Sequence, residues 1–404
     1  MSTAPTAVTI GVPRETLEGE RRVAMSPAAL PALVKAGARI VIEAGAGEAA
    51  GFADSLYRDR GAEIGSRADA LGAQVVAVVR VTPELGFDGL RQGQVLVGMA
   101  SPFATPDVVR QVAERGVTLF ALELVPRTTR AQAMDVLSSQ ANVAGYKAVL
   151  LAASALPKMF PLLTTAAGTI PPARVFVVGA GVAGLSAIAT ARRLGAVVEA
   201  YDVRAAVKEE VQSLGARFVE LPLETGQEGT GSGAYAQQLS EETLGKQREL
   251  MAKTVAGSDV VITTAQVQGA KAPVIITEEM VRGMAPGSVV VDLAAEQGGN
   301  CESTVAGETV DVGGVKVIGP RNVPATLATD ASLTYGKNVA SFLGLMVKDG
   351  AANPEVADDI VRETRVTHNG EVVNPRIREM LGLEPMPAPA PEPAPAETPE
   401  EVAG

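Results

Sequence analysis

ARVFVVGAGVAGLSAIATARRLGAVVEAYDVR, Ala173–Arg204, decides how this chain folds. The apolar run Val175–Val178 reads as a buried strand, and Gly179, Gly181 and Gly184 after it spell G-x-G-x-x-G. Leu185–Leu194 has helix composition, Gly195 stops it, and Val197–Tyr201 is a second strand that delivers Asp202 at its end. In such a turn the first glycine permits the bend, the second lets backbone approach a pyrophosphate, and the third allows close helix–strand packing. The helix N-terminus beyond it offers unpaired N–H groups and a positive dipole end to phosphates. Asp202 stands where a carboxylate can accept hydrogen bonds from ribose hydroxyls and repel a 2′-phosphate. The stretch therefore predicts a dinucleotide site that prefers NAD(H). Arg204, two residues on, is the counter-argument, because a nearby arginine can accommodate a 2′-phosphate.

Composition narrows the classes. The 404 residues suffice for two domains and a tail, and 47% hydrophobic with 20% charged content describes a packed globular chain. A formal charge of −11 argues against nucleic acid as a partner. Trp is absent and aromatics make up 3%, so the core must be aliphatic. The single cysteine, Cys301, excludes an internal disulfide and is expected to fill space or lie in a loop rather than act as a nucleophile. The single histidine, His368, lies in a predicted hairpin, Val366–Val373, with Asn369-Gly370 as its type I′ turn; a solvated role and no metal site are expected. No signal peptide opens the chain, and no run approaches the ~18–20 apolar residues that span a bilayer. The expectation is a soluble, cytoplasmic protein without a membrane span of its own.

The rest of the chain alternates. Val8–Val12, Arg39–Ile42, Val75–Val81, Val95–Met99 and Thr118–Ala121 read as strands. Pro27–Ala36, Asp54–Arg60 and Pro106–Arg115 read as helices, each followed by a glycine. A helix over Ala131–Leu156 leads into the dinucleotide region, whose further strands are Arg217–Val219, Val260–Thr263, Val289–Asp292 and Lys316–Ile318; Ala328–Val347 is a return helix. The fold class is α/β, two Rossmann-like parallel-sheet lobes with the cofactor cleft between them. The expected division is 1–130 with 327–384, then 131–326, then a Pro/Ala/Glu-rich tail, 385–404, read as disordered against the alternative of a tether. Between Pro222 and Leu239, four glycines and Tyr235 make either a closing lid or slack chain.

LELVPRTTRAQAMDVLSSQANVAGYKAV, Leu122–Val149, carries the second constellation. Gln132, Asp135 and Ser138 recur at three-residue spacing behind Arg127, so one face could offer an amide, a carboxylate and a hydroxyl to a carboxamide. The same spacing also describes a capped helix start. Reducing a keto or imino acid needs a proton donor, usually His or Lys; the first lobe has no histidine within residues 1–130, and Val75–Val81 and Val95–Met99 have no lysine. Hydride transfer between two nicotinamides needs neither.

With these residues in hand, the chain resembles the soluble NAD(H)-binding alpha-1 subunits (domain I) of proton-translocating NAD(P) transhydrogenases, and more distantly alanine dehydrogenases. GVPRETLEGERRVAMSP is common to both, whereas ELVPRTTRAQAMDVLSSQANVAGYKAV and TAAGTIPPARVFVVGAGVAGLSAIATARRLGA are similar to the transhydrogenases. The resemblance implies hydride transfer between NAD(H) here and NADP(H) on a partner subunit, of the Si/AB-specific type, with a membrane-embedded subunit coupling it to proton movement. It implies a homodimer, peripheral on the inner membrane through its partners. It places Arg127, Gln132, Asp135 and Ser138 around the nicotinamide as catalytic residues. It assigns Thr128, Thr129, Arg130, Gly179, Gly181, Val182, Gly184, Asp202, Val203, Arg204, Ala234, Tyr235, Gln247 and Gln266 to cofactor binding. The lysine and histidine of alanine dehydrogenases correspond to Val78 and Met99, and their carboxylate-binding arginine to a position near Arg22. An amino-acid dehydrogenase and a silent NAD(H)-sensing module are the rival readings.

Overall fold

The computed structural model describes residues 7–220, 241–267 and 269–386, with backbone alone over 241–247. Ala234, Tyr235 and their loop, the side chain of Gln247 and the chain from 387 onward lie outside the described residues.

Strands β1 (Thr9–Val12), β2 (Arg39–Glu43), β3 (Glu63–Gly65), β4 (Val75–Arg80), β5 (Val95–Met99) and β6 (Thr118–Ala121) come first. The hairpin β7 (Leu163–Thr165) and β8 (Gly168–Ile170) follows. Then come β9 (Arg174–Val178), β10 (Val197–Tyr201), β11 (Arg217–Phe218), β12 (Val260–Thr263), β13 (Val289–Asp292), β14 (Thr309–Val312) and β15 (Val315–Ile318). The chain closes with β16 (Val347–Lys348), β17 (Ala351–Ala352), β18 (Arg365–His368) and β19 (Glu371–Val372).

The first sheet has eight strands in the order β19-β18-β6-β5-β4-β1-β2-β3, with β1 to β6 parallel and β18 antiparallel beside β6. The second has seven, β11-β10-β9-β12-β13-β15-β14, all parallel except β14. Its order reverses at β9, between β10 and β12, the kind of switch point where open α/β sheets bind ligands. Both sheets are covered on two faces, so their β-branched runs divide at period two. Val75, Ala77 and Val79 enter one apolar cluster, Val76 and Val78 another. Val175 and Val177 likewise part from Phe176 and Val178.

Two helices join the sheets. Val136–Ala155 leads into the second and Ala328–Met346 returns to the first. On the return helix, Tyr335 donates its hydroxyl to the carbonyls of Val78 (2.9 Å) and Val79 (3.2 Å), and Asn338 donates to Ala133 (2.8 Å). The expected helix over Ala131–Leu156 is two elements: a 3₁₀ stretch, Thr129–Met134, and the helix Val136–Ala155. Asp135 divides them because its backbone is extended and its carboxylate accepts from Ser138 N–H (2.9 Å), an N-cap bond that a helical Asp135 could not make. His368 is less solvated than expected. Its side chain is 16% exposed, and its ring bonds Thr118 Oγ1 and Asn369 Nδ2, both at 3.0 Å. Asn369 and Gly370 both take positive φ, as the type I′ turn requires. Cys301 is buried, and that burial pushes its thiol up.

Candidate functional site

The glycine turn closes the C-terminal end of β9. Gly179 has φ +96°, and a Cβ there would lie 2.6 Å from Thr264 Oγ1. A Cβ on Gly184 would lie 1.8 Å from Gly179 O, so helix and turn touch backbone to backbone. Gly181, the N-cap of the helix Val182–Arg193, differs: a Cβ there would meet nothing within 4 Å. Open space therefore lies at the helix N-terminus, the end whose dipole and unpaired N–H groups suit an anion. Val182 begins the helix and is exposed.

Three residues that sequence reasoning missed hold this turn. Thr264 donates its hydroxyl to Gly179 O (3.1 Å) and Val178 O (3.3 Å). Asn300, fully buried, accepts from Ala265 N–H (2.9 Å) and donates to Ala265 O and Pro273 O (2.8 Å each). Asp292 accepts from the N–H groups of Asn300 (2.7 Å) and Cys301 (2.9 Å) and from the Thr304 hydroxyl (2.7 Å). Together they fix the segment that bears Gln266, whose amide donates to Leu293 O (2.8 Å). The only sequence signal was Asp292 at a strand end.

Asp202 follows β10 and closes back onto the turn. Its Oδ2 accepts from Ala180 N–H (2.7 Å) and Arg204 Nη2 (3.0 Å), its Oδ1 from Arg204 N–H (2.9 Å) and Nε (3.0 Å). Burial pushes this carboxyl up, but the Arg204 guanidinium and the two N–H groups outweigh it and hold the carboxyl below its ordinary value.

Across the molecule, Arg127, Thr128, Thr129, Arg130 and Gln132 are exposed on the 3₁₀ stretch and its approach. Arg130 is paired with Asp358 (2.6 and 3.0 Å). Asp135 caps the long helix and takes the Ser138 hydroxyl as well (2.6 Å). A cavity of about 660 Å³ separates the lobes, lined by Arg80, Met99 and Glu123 from one and Gln266, Lys271 and Glu296 from the other. Its wall reaches the long helix at Leu137, between Asp135 and Ser138. Phe103 and Gly269 meet at its edge: a Cβ on Gly269 would lie 2.7 Å from Phe103 Cβ.

Behind the cavity, Arg22 is buried and committed. Its guanidinium bonds Glu20 (2.6 and 2.8 Å), Gln140 (2.8 Å) and Asn322 (3.1 Å). Val78 is fully buried and Met99 lines the cavity, and neither side chain can carry a proton. Carboxyl groups are nevertheless present. Glu15 accepts from Val79 N–H (2.6 Å), and loss of water pushes it up to about 8. Glu123, bonded to the N–H groups of Ala100 and Ser101, is also pushed up by burial. Among the described residues, no group of His, Cys, Asp and Glu could hold a metal ion, and no helix is long and apolar enough to cross a membrane.

Two family models match: the alanine dehydrogenase/PNT N-terminal domain over residues 11–144 and the C-terminal domain over 148–375. The chain is 44% identical to the first part of NAD(P) transhydrogenase subunit alpha of Rhodospirillum rubrum, over 91% of this chain and 98% of that one. It is 29% identical to alanine dehydrogenase of Bacillus subtilis, over 94% and 96%. Among solved structures, a transhydrogenase from Sinorhizobium meliloti superposes with a TM-score of 0.80 at 43% identity, covering 91% and 99%. An L-alanine dehydrogenase gives 0.78 at 25%, covering 93% and 99%.

Proposed function

The chain belongs to the alanine dehydrogenase/PNT family, and we propose that it is the NAD(H)-binding subunit of a proton-translocating NAD(P) transhydrogenase. The observation that carries this reading is the crevice at the end of β9. There Gly181 leaves open space at a helix N-terminus, and Asp202 stands within 2.7 Å of the glycine turn. The nicotinamide, when bound, supplies the hydride donor or acceptor carbon. The chain's residues bind and aim it. Gly179, Gly181 and Val182 take the pyrophosphate, Gly184 supports them by letting the helix pack against the turn, and Asp202, Val203 and Arg204 take the adenosine side. Gln266 and Thr128 to Arg130 close around the cofactor. Arg127, Gln132, Asp135 and Ser138 orient the carboxamide ring, Asp135 while capping its helix.

The reaction is hydride transfer to or from NADP(H) on a partner subunit, of the Si/AB-specific type, with proton movement through a membrane-embedded subunit. The protein accordingly works on the cytoplasmic face of the inner membrane, held there by its partners. The lobes divide near 130 and 327. A homodimer is supported by the β7–β8 hairpin, an exposed arm that carries Leu163 and Ile170, preceded by Leu162 at 59% exposure.

The experiment is a stopped-flow measurement of hydride transfer with NADH, a purified NADP(H)-binding partner and an NADP⁺ analogue. Turnover is expected, and its absence would sink the assignment. Gln132→Asn keeps the amide but withdraws it by one methylene. NADH affinity should change little while transfer falls at least about tenfold, ~1.4 kcal/mol in the barrier. A large loss of binding at an unchanged saturated rate would make Gln132 an anchor instead. The rival dehydrogenase reading has one observation in its favour, the Glu123 carboxyl on the cavity wall. Steady turnover with alanine and NAD⁺, or pyruvate and NADH, would support that reading. Val78 and Met99 predict none.

A further inference from the structure

We propose that nucleotide choice is set by Asp202 and Arg204 as a pair, so that affinity for a 2′-phosphorylated dinucleotide is latent in this crevice and is suppressed because Asp202 occupies the Arg204 guanidinium. The inference rests on the NAD(H) reading above and goes further, in assigning Arg204 an opposite role once Asp202 is neutral. All four bonds to the carboxylate are accounted for: two from the Arg204 side chain, one from Arg204 N–H and one from Ala180 N–H. A ribose hydroxyl can therefore reach Asp202 only by displacing the guanidinium or sharing an oxygen with it.

The two partners are not equally held. The Asp202 side chain is 6% exposed and pinned by backbone, whereas that of Arg204 is 58% exposed and reaches Asp202 from the solvent side. Solvent screens the pair, so the guanidinium can swing away without displacing the carboxylate. Val203, 74% exposed, raises no wall between Asp202 and the solvent. Glu210 also acts on Arg204 by charge, from the helix that follows.

A 2′-phosphate brought to this rim meets a fixed carboxylate and a guanidinium already neutralised by it. With Asp202 made neutral, the backbone bond from Ala180 can persist to the side-chain oxygen, the repulsion is gone, and the guanidinium is free to take the phosphate. Arginine suits that role because its planar fork matches phosphate oxygens.

The test compares wild type, Asp202→Asn, Arg204→Ala and the double variant. NADH and NADPH are titrated by nicotinamide fluorescence, which the Trp-free chain leaves uncluttered, at low and high salt. Wild type is expected to bind NADH well ahead of NADPH. Asp202→Asn should weaken NADH and tighten NADPH at least tenfold, with a gain that shrinks in high salt. Arg204→Ala should gain no NADPH affinity, and the double variant should lose what Asp202→Asn gained. Asp202→Ser is a second neutral variant should the amide disturb the turn, with thermal melts reporting folding. A folded Asp202→Asn and Asp202→Ser that bind NADH but gain nothing for NADPH overturn the proposal, as does a double variant that keeps the gain. Wild type that binds no NADH would overturn the nucleotide-site reading itself, a different and separable outcome.

Discussion

Glu15 is a residue whose charge opposes its position. Its oxygens cap the end of β4 by accepting from Val79 N–H (2.6 Å) and, at 3.4 Å, Arg80 N–H, while burial and the neighbouring Glu20 disfavour its ionised form and Arg22 only partly compensates. The carboxyl is raised from 4.5 to about 8. Between those values the folded state keeps a proton that the unfolded chain releases, so stability falls as pH rises from about 4.5 to about 8. The loss should be on the order of 5 kcal/mol over that span. Glu15→Gln cannot ionise and keeps an oxygen for Val79 N–H, so it should remove this component. Urea midpoints across the range, wild type minus variant, measure it. A difference that stays flat with pH would mean Glu15 is charged throughout. Nothing in the sequence announced this carboxyl: Glu15 falls in a charged, irregular stretch, and its partners lie 64 and 65 residues away.

At the scale of elements, what the sequence disclosed was whatever repeats locally. Val75–Val79 and Val175–Val178 announced buried strands because β-branched residues alternate onto two covered faces, and the glycines ended helices because positive φ costs them little. Gln132, Asp135 and Ser138 were ambiguous because an N-cap and a helical face share three-residue spacing, and only the extended backbone of Asp135 separates them. Asn300 was invisible: it bonds Ala265 across 35 residues, and side-chain bonds to distant backbone leave no period in a sequence. The fingerprint turn allows a sharper test, since its glycines face opposite constraints. Gly184→Ala drives a Cβ to 1.8 Å from Gly179 O, so it should cost stability, about 1–3 kcal/mol by the logic of overpacking, and NADH binding with it. Gly181→Ala enters open space at φ −77°, so the melting temperature should hold while NADH affinity falls at least tenfold. Thermal melts beside NADH titrations separate the two. Unchanged NADH affinity in a folded Gly181→Ala protein would mean that no phosphate approaches there.

For the whole molecule, the proposed hydride transfer makes a demand on how the two lobes are held across the cavity between them. The polar clasp behind it ties them: Asn322, in a left-handed conformation at φ +43°, bonds Glu20 and Arg22 through its side chain and Glu296 through its N–H (3.0 Å). At the cavity's edge the contact is tighter. Phe103 from the first lobe lies against Gly269 from the second, with the Arg376 guanidinium 4.2 Å from its ring centre. Gly269 has φ +71°, and a Cβ there would lie 2.7 Å from Phe103 Cβ, an atom near the backbone that cannot rotate aside. Gly269→Ala should therefore part the lobes at this edge while leaving the Asp202 rim of the crevice intact. A misplacement of ~1 Å costs about a hundredfold when a reaction depends on geometry. ADP-ribose, which has no nicotinamide, should keep its affinity within about threefold, whereas hydride transfer to a partner-bound acceptor should fall at least tenfold, ~1.4 kcal/mol. Isothermal titration with ADP-ribose and stopped-flow transfer on the same preparation supply the two numbers. If both fall together, the edge contact stabilises the whole nucleotide site; if transfer is unimpaired, the Phe103 edge plays no part in bringing the ring to its acceptor.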